Sequence, residues 1–316
     1  MPGGQERVLR RRIKSVQATQ KITRAMELIA ASQIVRAQSR LAAAAPYQHG
    51  LAEVLAEAAA DVGAHAGRLL GVPADPRRIL VLAMVSDRGL CGGYNTNVLR
   101  ATERLVRAQA QVETRLVTVG RKAPPYLRFR RIEVDQSFIG FSDRPSFADA
   151  RQVAEAVVPL FLDGTVDQVL VISTRFLSAG SQVVEQRQLL PLPEPGGAGP
   201  GEGENAEVPQ PARREGYVEF EPEAEDLLAD LVPRYAEAAI FGAMLEAAAS
   251  EHTARQRAMA AATDNADELV KSLSRVMNRA RQDAITTEIM EIVGGAEALR
   301  AGAAGDESGL VIEVGS

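Results

Sequence analysis

The chain has no tryptophan, one cysteine and few aromatics of any kind, 4% of its residues, and each shortage removes a class of function. A single cysteine, Cys91, forms neither an internal disulfide nor a cysteine-rich metal site, which fits a reducing compartment. Histidine is scarce too: His49, His65 and His252 lie far apart in sequence, without the spacing of a ligand set. No apolar run nears the roughly 18 residues that cross a bilayer, and the N-terminus is polar and basic without an apolar signal core. A soluble, unprocessed chain is expected, reaching any membrane through a partner. The formal net charge of -5 argues against general nucleic-acid binding.

What the chain has is apolar periodicity, in three zones. Hydrophobic residues make up 46% of the 316, enough for a core in at least one domain. In the first zone, 1–62, Leu9, Ile13 and Val16, then Ile22, Met26 and Ile29, repeat at 4-3 spacing with a phase slip between the trios. This predicts a helix about 80 Å long at ~1.5 Å per residue, with Pro46 as a candidate kink. In the second zone, 77–216, apolar runs at 79–85, 116–119 and 169–173 read as buried strands, and 96–109 and 147–162 as amphipathic helices. That order predicts an α/β domain with a largely parallel sheet. It closes on 191–216, a segment with six Pro, six Gly and five Glu that reads as a flexible insertion.

The third zone, 217–299, returns to helix, with Leu269, Leu273, Val276 and Ala280 at 4-3-4 spacing. Pro233 should kink or restart it; Gly294, Gly295 and Gly302 should break it before a loose tail at 300–316. Two polar-faced helices this long cannot both be buried in a small domain. The economical arrangement is an antiparallel coiled coil of the two ends, each helix covering the other's stripe, with the α/β domain at one end.

Residues 86–93, SDRGLCGG, follow the first buried strand and precede a helix, the position of a phosphate-binding turn. Their spacing matches neither a phosphate loop nor G-x-G-x-x-G, and the glycines read instead as a tight turn that lets the helix approach the sheet. Cys91 has no His or acid at a telling distance and reads as a small buried residue rather than a nucleophile. Asp264, Asp267 and Glu268 fall at helical spacing and read as a solvated face rather than a metal or acid-base cluster. Residues 7–40 carry nine Lys or Arg against Glu27 alone, and the absence of interleaved aromatics in 7–24 weakens a nucleic-acid role relative to an acidic protein surface. The residues alone describe a long two-helix rod on a small α/β domain, suited to transmission or scaffolding. Two other readings stay open: an α/β enzyme with a nucleotide at 86–93, and a coiled-coil scaffold or nucleic-acid adaptor using 7–24.

Three blocks carry a family resemblance: RIKSVQATQKITRAM at 12–26, SDRGLCGGYN at 86–95, and AATDNAD at 261–267 continuing to ARQDAITTEI at 280–289 and EIVGG at 291–295. Long, in order and spread over all three zones, they are similar to the signature segments of the gamma subunits of bacterial F-type ATP synthases. The resemblance implies an α/β fold in which a long antiparallel coiled coil joins a Rossmann-like α/β domain. It implies a rotor, one copy per complex, that couples proton-driven rotation of a ring of c subunits to ATP synthesis and hydrolysis at the beta subunits. Alpha and beta subunits would surround the coiled coil, and epsilon and the c-ring would meet the foot at the cytoplasmic face of the membrane. No cofactor, metal or catalytic residue is implied in this chain. By position, Lys21, Arg24 and Met26, with Arg281, Gln282, Thr286 and Glu288, resemble residues that meet beta. Val218, Phe220, Glu221 and Pro222 resemble the segment near the c-ring, although Val218 stands where Tyr is more usual. The insertion at 191–216 is longer than the family's usual connection and has no Cys to form a dithiol switch. The Ala/Arg/Gly-rich composition resembles chains from high-GC actinobacteria, and the lack of a transit peptide favours a bacterial origin over a mitochondrial one.

Overall fold

A computed structural model describes residues 2–62, 69–70, 76–109, 111–192 and 224–306. The elements, in order, are α1 (Pro2–Val62), β1 (Arg78–Met84), α2 (Tyr94–Ala108), β2 (Glu113–Val119), α3 (Ala123–Phe129), β3 (Gln136–Phe138), α4 (Phe147–Leu162), β4 (Gln168–Phe176), β5 (Gln182–Leu190) and α5 (Ala224–Asp306). They fall into two compact units, Met1–Ala25 with Ala260–Ser316, and Met26–Met259.

The larger unit is built on a five-stranded sheet in the order β3-β2-β1-β4-β5. The β1–β2, β1–β4 and β2–β3 pairs are parallel, and β5 returns antiparallel to β4. Strand β1 shows why the sheet needs cover on both faces. Ile79, Val81, Ala83 and Val85 pack with Val98 and Leu99 of α2 and Leu127 of α3, while Leu80, Leu82 and Met84 pack with α4 and with Leu228, Val232 and Ile240 of α5. Leu55, Ala58 and Ala59 of α1 join that second layer. Helix α4 starts on a capping box, in which Ser146 Oγ accepts from the Asp149 N–H and the Asp149 carboxylate accepts from the Ser146 N–H. Gly120, at φ +104, ends β2 where any Cβ would collide with the Val85 carbonyl oxygen.

In the smaller unit the two helices run antiparallel. Thr23 Oγ1 and Thr263 Oγ1 share a hydrogen bond of 2.8 Å, and Gln20 hydrogen-bonds Asp267, so position numbers fall on one helix as they rise on the other. The covered positions of α1 here are Leu9, Ile13, Val16, Gln20 and Thr23; those of α5 are Thr263, Ala266, Val270, Leu273, Met277, Ala280 and Ala284. Both sets keep 4-3 spacing.

This corrects the periodicity reading. No phase slip occurs, Ile22 and Ile29 are each 61% exposed and Met26 is half-buried. On α5, Leu269 and Val276 are 41% and 52% exposed. A reading by apolarity alone follows the larger side chains, whereas helices in close approach accept small and hydrogen-bonding ones at the seam, as Thr23, Thr263 and Ala266 do.

The expected helix break at the C-terminal glycines also moves. Pro46 and Pro233 lie inside α1 and α5, and α5 runs through Gly294, Gly295 and Gly302 to Asp306. A helical glycine costs about 1 kcal/mol relative to alanine, less than its Ala- and Glu-rich neighbours recover. Residues 300–306 of the expected tail are thus helical. The expected insertion starts later than residue 191, since Leu192 is buried and its N–H donates to Leu69 O at 2.8 Å. Residues 193–216 and 307–316 lie outside the described residues. Helix α3 and strands β3 and β5 were not expected: α3 begins Ala-Pro-Pro, and β5 carries Glu185, Gln186 and Arg187 mid-strand. Proline is well suited to a first helical turn, and charge is tolerated on an edge strand.

Candidate functional site

The residues matched to family contacts separate into levels. Lys21 and Arg24 are exposed on the N-terminal part of α1, and Arg281, Gln282, Thr286 and Glu288 are exposed on α5. With Thr263 opposite Thr23, Arg281 lies 18 residues farther along α5, about 27 Å at ~1.5 Å per residue. They do not form one cluster. Arg281 and Gln282 lie between the covered Ala280 and Ala284 and turn away from the seam, while the Thr286 hydroxyl is spent on its own helix, donating to Gln282 O at 3.0 Å. Met26 belongs to the larger unit and is half-buried. Val218, Phe220, Glu221 and Pro222 lie outside the described residues. Ile22, Leu269 and Val276, expected at the seam, are outward apolar side chains on the same helices as the outward cations.

The second signature block is a joint. Ser86 and Asn95 bind each other across the turn, with Ser86 N–H donating to Asn95 Oδ1 at 2.9 Å and Asn95 Nδ2 donating to Ser86 Oγ at 2.7 Å. The Asp87 carboxylate accepts three backbone N–H groups: Gly140 at 2.9 Å, Ser142 at 3.0 Å and Arg121 at 2.9 Å. It thereby ties together the loops at the carboxyl ends of β1, β2 and β3, which leaves that acid occupied by the fold. Asp87→Asn should lower stability by about 1–3 kcal/mol, since one amide nitrogen would then face backbone donors. Faster hydrogen exchange at Gly140 and Ser142 would report it.

The same turn is fastened to α5. Glu251, 1% exposed, accepts from Arg255 Nη2 at 2.6 Å and from Ser142 Oγ at 3.3 Å. Arg255 also reaches the Gly89 carbonyl at 3.4 Å, and His252 Nε2 lies 3.0 Å from Asp143 O. Burial pushes the Glu251 carboxyl up, against the pull of Arg255 and Ser142. Burial also raises Tyr94, helped by Glu251, and lowers His252. Gly92 sits at φ +56, a left-handed conformation that favours glycine in this turn. Sequence reasoning missed Glu251, Arg255 and Ser142. The available signal was an i, i+4 acid-base pair set in the alanine-rich stretch 243–262.

A cavity of about 440 Å³ borders this turn, lined by Gly92, Gly93, Asn97, Thr174, Gln182 and Arg257 among others. Arg257 is the one cation among the described lining residues, and its guanidinium already donates to Ala179 O and to Gln182 Oε1 at 2.9 Å. That is a poor cradle for a nucleotide's phosphates.

Comparison with known proteins places this architecture. The profile of the family described as ATP synthase matches residues 5–299. A Frankia casuarinae protein named ATP synthase gamma chain is 46% identical over 305 residues, covering 95% of this chain and 99% of that one. A Streptomyces coelicolor protein of the same name is 44% identical over 315 residues, covering 97% and 100%. Among solved structures, a chain of the Tetrahymena thermophila mitochondrial ATP synthase central stalk and c-ring aligns with TM-score 0.57 at 24% identity, over 76% of this chain and 99% of its own. A chain of the Euglena gracilis mitochondrial ATP synthase aligns with TM-score 0.64 at 17% identity over 99% of both. The solved structures establish likeness of fold, and the curated relatives establish descent: the chain belongs to the ATP synthase gamma chain family.

Proposed function

We propose that the chain is the non-catalytic central shaft of a proton-translocating F-type ATP synthase, present once per complex at the cytoplasmic face of a bacterial membrane. Alpha and beta subunits surround the paired helices, and epsilon and the c-ring meet the sheet-bearing unit. Lys21, Arg24, Met26, Arg281, Gln282, Thr286 and Glu288 touch beta, and Val218, Phe220 and Glu221 lie toward the c-ring. Turning the shaft presents different faces to three beta subunits in turn and so biases each site among its affinities, a population shift driven by a moving partner.

The observation that carries this reading is the far end of α5. By the Thr23–Thr263 register, α1 starts at Pro2 opposite about residue 284. Helix α5 continues to Asp306, and Ile285, Ile289, Ile292 and Leu299 repeat at 4-3-7 spacing, all exposed. A helix end with an apolar stripe that its partner helix does not reach fits a sleeve supplied by other chains. No described helix is long and apolar enough to cross a membrane, which suits a subunit held there by partners.

Rotation is the direct test. With Cys91 replaced by Ser, Ala179→Cys places a unique thiol on the exposed turn between β4 and β5, where a probe can be attached in the assembled complex with beta immobilised. ATP should drive the probe through repeated unidirectional steps. Hydrolysis with a stationary probe would remove the rotor assignment, and failure of alpha and beta to co-purify with the chain would remove the assembly itself.

A further inference from the structure

We infer that the outer surface of α2 and α3 docks on an anionic lipid headgroup layer, with Phe129 as the inserted side chain. The inference stands on this surface's own charge and shape and is independent of the rotor reading. Residues 100–131 hold nine Arg or Lys against Glu103 and Glu113, in a chain whose net charge is -5. Arg100, Arg104, Arg107, Arg121, Lys122, Arg128, Arg130 and Arg131 are all exposed. Glu103 joins the two helices and draws Arg107 and Arg130 to one acid. It pairs with Arg107 of α2 at 2.8 Å and with Arg130, just past α3, at 3.2 Å, and it accepts from Tyr126 of α3 at 3.0 Å. One acid is therefore shared between two arginines, and with Glu133 and Asp135 beside Arg131 counted as well the surface keeps a positive excess.

Phe129 stands in this patch 82% exposed. Its projection is fixed by the way α3 ends. Arg131 takes the left-handed conformation at φ 59, with Arg131 N–H donating to Arg128 O at 3.0 Å and Ile132 N–H to Leu127 O at 2.9 Å. These are the two bonds of a Schellman cap, which turns Leu127 and Ile132 into the core and leaves Phe129 on the outside. Isolated exposed apolar residues are common, so Phe129 alone decides nothing. Its setting does. A protein partner needs a contiguous apolar centre, and this patch has one projecting ring among cations. A headgroup layer takes one aromatic at its apolar boundary and attracts every surrounding cation at once.

The chain has no tryptophan, so Phe129→Trp supplies a unique fluorescent reporter. The full-length chain is mixed with phosphatidylcholine vesicles, with and without one-third phosphatidylglycerol, at low and high salt. We expect sedimentation with the anionic vesicles only, a blue shift of the reporter's indole emission with quenching by brominated acyl chains, and release at high salt. At about 1 kcal/mol per cation near such a surface, Arg104→Ala/Arg128→Ala should weaken partitioning roughly 25-fold, and Phe129→Ala several-fold. Equal binding to neutral vesicles, or no binding, would overturn the proposal. So would binding that survives both variants, which would transfer it to the basic stretch 7–24 of α1. Retention of single-stranded DNA without vesicle binding, lost in the same variants, would mark a nucleic-acid surface instead.

Discussion

Arg255→Met should loosen the larger unit by about 3–5 kcal/mol at neutral pH, the cost of leaving a buried charge without its partner. Arg255 is the cation that offsets the burial of Glu251, to which it donates at 2.6 Å, and methionine fills much of the same volume without the charge. Hydrogen exchange of the β1 amides should accelerate by roughly two to four orders of magnitude, since about 1.4 kcal/mol corresponds to tenfold. The pH dependence has a definite sign. A carboxyl whose folded pKa lies above its ordinary value of 4.5 adds stability at low pH that is lost as pH rises through the folded pKa. Removing Arg255 raises that pKa further, so the deficit should be greatest near pH 7–8 and shrink toward pH 5. The double variant Arg255→Met/Glu251→Gln should recover most of the loss, because both charges leave together. A single variant as stable as wild type, or a double variant as weak as the sum of the two, would show that the pair does not fasten the turn to α5.

In the proposed rotor, torque carried by the larger unit would pass through this fastening. The sheet meets α5 there through Asp87, Ser142, Glu251 and Arg255, the first two at the carboxyl ends of β1 and β3. A shaft that yields at this point dissipates rotation within its own structure. Arg255→Met should therefore lower protons pumped per ATP hydrolysed even where hydrolysis persists.

The sheet was legible because β1 and β4 are buried on both faces and read as unbroken apolar runs, and α2 and α4 because each shows a helical stripe. Strand β5 was not, since an edge strand carrying Glu185 and Arg187 looks like a loop to any hydrophobicity criterion. The antiparallel pairing of the terminal helices was legible from their length and spacing, but the seam was not. Thr23 and Thr263 contribute a hydrogen bond that only the paired structure reveals, while Ile22 and Val276, the larger apolar residues, stand outside. The function of block 86–95 was hidden for a related reason. Its spacing already excludes a phosphate loop, but nothing local shows that Asp87 accepts three backbone amides or that Arg255 arrives from a helix 166 residues away. Family resemblance located the exposed residues on α1 and α5, which periodicity could not have distinguished from a solvated face.

Arg281→Ala/Gln282→Ala should leave folding untouched and reduce coupled ATP synthesis by about tenfold or more. Both side chains are exposed, and the seam beside them is held by Ala280 and Ala284, so their removal uncovers nothing. Thermal unfolding should match wild type. Arg281 offers a planar fork suited to a carboxylate or to paired carbonyls of beta, and a hydrogen bond involving a charged group contributes about 1.5–3 kcal/mol, with a neutral one near 1 kcal/mol from Gln282. In the proposed rotor, contacts of that size, made in some rotary positions and broken in others, would shift the relative energies of the beta states by enough to change the rate without preventing assembly. Arg281→Lys keeps the charge and loses the fork, and it should fall between wild type and the double variant. Reconstituted vesicles driven by a proton gradient give the synthesis rate, and the same vesicles supplied with ATP give pumping in reverse. If both rates in the double variant equal wild type while the complex assembles normally, Arg281 and Gln282 are solvated surface residues and torque passes through other positions of α1 and α5.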